Sequence, residues 1–190
     1  MSKKKLFMVL IGCRPKGRFT EQHDIFFGIA NSLHDLIPAM KAFWPEAKGV
    51  MHVDAWREVN QINDFSVKIE KKEKAKAESH KLFFINLGGY KPGEFDEPHY
   101  KMIIAAKDKS EAIKQSKETA FYKHNGFKGA ASHVDDKYGV DVDDVYQIED
   151  ILSEEFKSQY HISITEKKGK EDEIHLGYLK LEKIKENKSY

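Results

Sequence analysis

Two pairs of residues in this chain have the types and spacing to do chemistry. Glu21 and His23, and further on His52 and Asp54, are each separated by a single residue. On a β-strand, positions i and i+2 point to the same face, so each pair sets a carboxylate beside an imidazole. Two imidazoles and two carboxylates form a donor set that zinc, iron or manganese accepts. The same four groups also suit an acid–base pair, in which a carboxylate orients a histidine that titrates near neutrality. The pattern recurs downstream as Glu97, His99, His133 and Asp135. Structural hydrogen bonds to backbone in neighbouring turns are a further use open to all eight residues.

The recurrence belongs to a longer repeat. With the chain displaced by 76 positions, Leu6, Phe7, Gly12, Gly17, Phe19, Glu21 and His23 fall on Leu82, Phe83, Gly88, Gly93, Phe95, Glu97 and His99. These matches lie within 18 columns, where chance supplies about one, and similarity of this kind marks a duplicated structural unit. After an insertion, a displacement of 81 sets His52-Val53-Asp54 on His133-Val134-Asp135. Further on, Gln61-Ile62 and Asp64 match Gln147-Ile148 and Asp150. The expected units are residues 5–70 and 81–165, joined by a charged connector at 71–80 and followed by a strand and tail at 166–190.

Each copy reads as ββαββ. Short apolar runs at 6–11 and 82–87 stop at glycine, as buried strands do, and second strands follow at 23–30 and 99–106. In the first copy Leu33, Leu36, Ile37, Met40 and Phe43 have helical spacing, with Pro38 inside the stretch predicting a kink or an early stop. In the second, a helix is expected over 110–122, with Asp108 and Glu111 at capping-box spacing and Ile113, Ala120 and Phe121 on its apolar side. Third strands are expected at 50–56 and 130–135, and fourth strands at 65–69 and 161–165. A short helix at 151–159 and a last strand at 174–181 complete the pattern, before a frayed Lys-rich tail. A right-handed crossover makes the second and third strands of a copy run parallel, so that their starting ends, and the four polar side chains, meet at one sheet edge. The fold class is α+β: two lobes related by a pseudo-twofold, plus the extra C-terminal strand.

The bulk properties narrow the partners. Charged residues make up 33% of the 190, yet the net charge is only +1 and both signs are mixed along the chain, which argues against nucleic acid. The apolar run at 6–11 is far too short to span a membrane. A single cysteine, Cys13, excludes an internal disulfide and suits a reducing, cytoplasmic setting.

Other motifs carry less. Gly12-(x)4-Gly17 has the spacing of a phosphate loop but is followed by Arg18-Phe19 instead of Lys-Ser or Lys-Thr, so a glycine-dependent tight turn is the better account. Arg14, Lys16 and Arg18 could hold an anion, though Tyr90, Pro92 and Glu94 replace them in the second copy. Asp135, Asp136, Asp141, Asp143 and Asp144 lack the calcium-loop pattern and read as a polar loop.

The pattern Gly12-(x)4-Gly17, Phe19-x-Glu21-x-His23, His52-x-Asp54, Trp56-Arg57, with its second appearance from Gly88 to Asp135, resembles the small bacterial family catalogued as domain of unknown function 1543. That resemblance implies one or two copies of such a domain and no assigned activity. The second copy departs from it in having no Trp-Arg after its His-x-Asp. For function, two expectations follow. The first is a module that binds a small molecule or a protein partner at the junction of the copies, with open strand edges suited to a homodimer. The alternative is a metal-dependent or acid–base enzyme built on the Glu-x-His and His-x-Asp doublets.

Overall fold

A computed structural model of the protein describes residues 3–74, 79–88, 93, 95–119 and 141–185. It is α+β, mostly strands with few helices, and divides into two compact units. The first comprises Met1–Lys76 and Leu152–Tyr190, and the second Ala77–Ile151. Residues 152–165, expected in the second repeat, are thus counted with the first unit.

The first unit is organised by β1 (Lys5–Cys13), in which six of nine residues are buried and none is exposed. It pairs antiparallel with β2 (Gln22–Ala30) on one side and β3 (His52–Val59) on the other. Both neighbours therefore run in the same direction, with β1 between them, and both begin beside Gly12, which pairs with His23 and with His52. The register between β1 and β3 shifts between Leu10 and Ile11: Val53 faces Ile11 and Ala55 faces Leu10, so Asp54 is an extra, unpaired residue. Such a bulge bends its strand and re-aims a side chain. It also explains how Val53 and Trp56, three residues apart, come to be buried on one face, a spacing that a regular strand would split between two.

Pro38, expected to kink or stop a helix, lies instead in the first turn of α1 (Ile37–Phe43). There its missing N–H costs nothing, and a single 3-10 turn at His34–Leu36 leads in. Met40 and Leu36 are fully buried, and Leu36 packs against Gly28 of β2.

A second sheet of this unit runs β4 (Gln61–Ile62), β5 (Phe65–Lys71), β9 (Tyr160–Glu166). The two expected fourth strands are therefore partners, antiparallel from Phe65↔Glu166 to Lys71↔Tyr160. The last strand, β10 (His175–Lys180), extends the first sheet alongside β3. Just after it Leu181 and Ile184 are buried, while the rest of the expected tail, 186–190, lies outside the described residues. Asp172 holds the segment before β10, accepting from the Arg57 guanidinium at 2.8 Å and from the backbone N–H groups of Asn60 and Gln61.

In the second unit β6 (Lys81–Gly88) pairs with β7 (His99–Ala106) and β8 (Asp141–Gln147). Phe83, Ile85, Leu87, Ile104, Ala106 and Ala112 form its core, with Met102, Val142 and Val145 against it. Here too the register shifts, between Asn86 and Leu87, leaving Asp143 as the unpaired residue. The helix α2 (Lys109–Thr119) opens with Asp108 accepting from the Glu111 N–H, and Glu111 reaching back to the Lys107 N–H. Among its described residues, Ala112 and Ser116 are fully buried, positions that the spacing had not picked out. Ile113 is half-buried, and Ala120 and Phe121 lie outside the described residues. Ser116 is accommodated because its hydroxyl donates to the Ile113 carbonyl.

The expected strand at 130–135 lies outside the described residues, and β8 occupies a stretch read as a polar loop. Val142 and Val145, brought to one side by the bulge, make it a strand. Two short helices follow, α3 (Ile148–Ile151) and α4 (Glu154–Gln159), where one was expected. Gln147-Ile148 are not counterparts of Gln61-Ile62, since Gln147 ends a strand and Ile148 begins a helix.

Asp172→Ala should lower stability by about 3 kcal/mol, because it strips the partner from a largely buried guanidinium. Urea denaturation measures this, and a loss under about 0.5 kcal/mol, as for an ordinary surface change, would show that Asp172 does not pin the segment.

Candidate metal centre

Glu21, His23, His52 and Asp54 converge at the end of β1. The shared start of β2 and β3 brings His23 and His52 to either side of Gly12, and the bulge carries Asp54 in beside them. Asp54 Oδ2 lies 3.1 Å from His52 Nε2 and 3.2 Å from His23 Nε2. Glu21 closes the cluster from the preceding loop, with Oε1 3.3 Å from His52 Nε2 and Oε2 3.7 Å from His23 Nε2. One donor atom from each of Glu21, His23 and His52 lies within 4.8 Å of the others.

These contacts are not hydrogen bonds. His52 Nε2 and Asp54 Oδ2 are buried without a hydrogen-bond partner among the described residues. Leaving buried polar atoms unsatisfied costs about 1–3 kcal/mol each, so an arrangement of this kind calls for an explanation. The spacing offers one. Ligands 2.0–2.2 Å from a tetrahedral zinc ion lie about 3.3–3.6 Å apart, close to the four imidazole–carboxylate distances given above.

Gly12 makes the convergence possible. A Cβ there would fall well inside contact distance of His52 Nε2 and 2.6 Å from Asp54 Oδ2. The cluster is closed on the His52 side, whose side chain is 6% exposed, and open at Glu21 and His23, at 47% and 39%. The Tyr178 ring of β10 lies against the His52 ring with centroids 4.3 Å apart, and His175 stacks on Trp56 at 4.0 Å. Nothing in the sequence pattern marks Tyr178 as a neighbour of His52.

In the second unit Glu97 and His99 come together as expected, but their third member is Asp143, with His99 Nε2 3.0 Å from Asp143 Oδ2. By register the places of His52 and Asp54 are held by Asp141 and Asp143, because Gly88 pairs with Asp141 as Gly12 does with His52. His133 and Asp135, proposed from the displacement of 81, lie outside the described residues. Val142 and Val145 flanking Asp143-Asp144 were the available signal, masked because the bulge sets them three residues apart.

The loop ahead of Glu21 contains a tight turn in which the Arg18 N–H donates to the Pro15 carbonyl and Gly17 has φ +84°. Gly93, at the corresponding position, has the same φ. This agrees with glycine used for backbone freedom. Cys13 is buried beside the site, and burial first, then the Glu21 and Glu46 carboxylates, push its thiol above the ordinary range.

An α+β protein with a histidine–carboxylate cluster at a bulged sheet edge is thus the class that fold and site define. Residues 18–69 match the family model described as Domain of Unknown Function (DUF1543), a stretch holding all four residues of the first cluster. The chain is also similar to the solved structure described as the crystal structure of a protein Il1583 from Idiomarina loihiensis. The two are 18% identical with a TM-score of 0.62, over 94% of this chain and 97% of that one, a likeness of fold. No curated protein matches the chain. Among the described residues no helix is long and apolar enough to cross a membrane.

Two outcomes are expected. Gly12→Ala should overpack the cluster, lowering stability by about 1–3 kcal/mol and displacing the His52 ring signals in NMR spectra. An unchanged spectrum would show that the void over Gly12 is not needed. Cys13 should resist an aromatic disulfide reagent at pH 8 and react fully in urea; fast reaction of the folded protein would contradict its burial.

Proposed function

We propose that this protein is a metal-dependent binding module in which Glu21, His23, His52 and Asp54 hold a divalent transition-metal ion. One observation carries the reading: a buried imidazole nitrogen and a buried carboxylate oxygen lie 3.1 Å apart, both without hydrogen bonds, at metal-ligand spacing from further donors. Imidazole with carboxylate favours zinc, iron or manganese. Positions facing solvent on the Glu21 and His23 side would take an oxygen donor from a small molecule. Arg14, Lys16 and Arg18, in the loop leading to Glu21, favour an anionic one.

We read the chain as two diverged copies of the same domain, of the bacterial type that the match over 18–69 suggests. Support comes from the identities at a displacement of 76 and from bulges at corresponding places in β1 and β6 pairing. The lone cysteine favours the cytoplasm, and the edge strands β2 and β10 offer backbone for pairing with a second copy.

Chelator-stripped protein should bind zinc in calorimetry and gain melting temperature on doing so. His23→Ala, at a partly exposed position, should keep its fold and weaken zinc binding at this cluster by about 100-fold or more, beyond the 10–100-fold typical of losing an outer-shell partner. Unchanged zinc binding, with a fall in melting temperature, would instead assign these residues to holding the sheet edge together.

A further inference from the structure

We infer that the second unit carries a second metal site, unequal to the first, formed by Glu97, His99 and Asp143. The inference extends the metal reading of the first cluster, but its residues and geometry are its own. Donor atoms of the three side chains lie within 4.8 Å of one another, with His99 Nε2 and Asp143 Oδ2 3.0 Å apart. Asp143 is the unpaired residue of a bulge, as Asp54 is. Beneath the cluster sits Gly88, where a Cβ would fall well inside contact distance of Asp143 Oδ2 and 2.9 Å from Glu97 Oε1. The backbone thus builds the same side-chain-free space twice, each time with an imidazole and carboxylates closing on it.

The donors differ in a way that sets selectivity. In the first cluster His52 is buried and brings a second imidazole; in the second unit that register position is an aspartate, Asp141. Neither His99 nor Asp143, at 33% and 31% exposed, is as enclosed as His52 at 6%, so water competes more effectively for the place that His52 seals in the first cluster. Any site of nitrogen and oxygen donors binds zinc ahead of manganese, but fewer imidazoles narrow the gap, because manganese favours carboxylate and water. The second site therefore binds zinc more weakly and discriminates less against manganese.

The test uses the full chain, stripped of metal and titrated separately with Zn2+ by calorimetry and with Mn2+ by the EPR signal of the free ion. The expected result is two zinc equivalents whose affinities differ by about tenfold or more, the scale on which metal sites respond to even an outer-shell change. His99→Ala and the near-isosteric Glu97→Gln should each remove only the weaker equivalent, and His23→Ala only the tighter. The zinc-to-manganese affinity ratio should be smaller for the site that His23→Ala leaves intact. A single equivalent lost in His23→Ala and untouched by His99→Ala or Glu97→Gln would overturn the second site while keeping the first. Two equivalents of equal affinity, or a larger zinc preference at the second site, would overturn the inequality. No bound zinc at all would overturn both readings.

Discussion

The organising constraint in each unit is a residue without a side chain at or next to the end of the central strand, opposite a neighbour carrying one residue too many. At Gly12 and Gly88 the central strand leaves room, and at Asp54 and Asp143 the bulge directs a carboxylate into it. Either feature alone would be unremarked. A glycine at a strand end without the bulge is merely a weak point in the ladder, and a bulge over a side chain would turn its extra residue toward solvent. Together they let polar groups approach closer than a regular sheet allows, and the buried hydrophobic strands β1 and β6 keep that approach rigid.

How the site's residues come together follows from strand direction more than from local propensity. β2 and β3 both run antiparallel to β1, so Glu21-x-His23 and His52-x-Asp54 arrive at one edge although 28 residues separate His23 from His52. The closed side, with Tyr178 against His52, and the open side, with Glu21 and His23 partly in solvent, give the cluster a back and a front. For a donor set of this type, such asymmetry separates ligands that only hold an ion from a face through which something else can reach it.

Much of this was legible in the residues. The apolar runs ending at glycine, the second strands and the Glu-x-His doublets repeat with no insertion between them, and the structure places them in matching registers. What stayed hidden has a physical cause in each case. Val142 and Val145 share a side only because of a bulge, so period-two counting passes over β8, and the displacement of 81 leads to His133-x-Asp135 instead. Pro38 was weighed as a helix breaker, yet its ring geometry suits a first turn equally well. The pairing of β5 with β9 links segments about 90 residues apart, and no local pattern announces a partner at that distance. Asp172, in a stretch without regular structure, gives no sign beforehand that it binds Arg57.

The discontinuity of the first unit has a bearing on how the chain is made. Residues 152–190 belong with residues 1–76, so β5 and the outer edge of β3 wait for β9 and β10 until the intervening second unit has been synthesised. The second unit, contiguous over 77–151, is available earlier. Contacts closing loops of this length slow folding, because the entropy of closure is lost before the contacts form. During that interval β5 is an open edge in a nascent chain, the kind of surface that chaperones shield and that aggregation exploits.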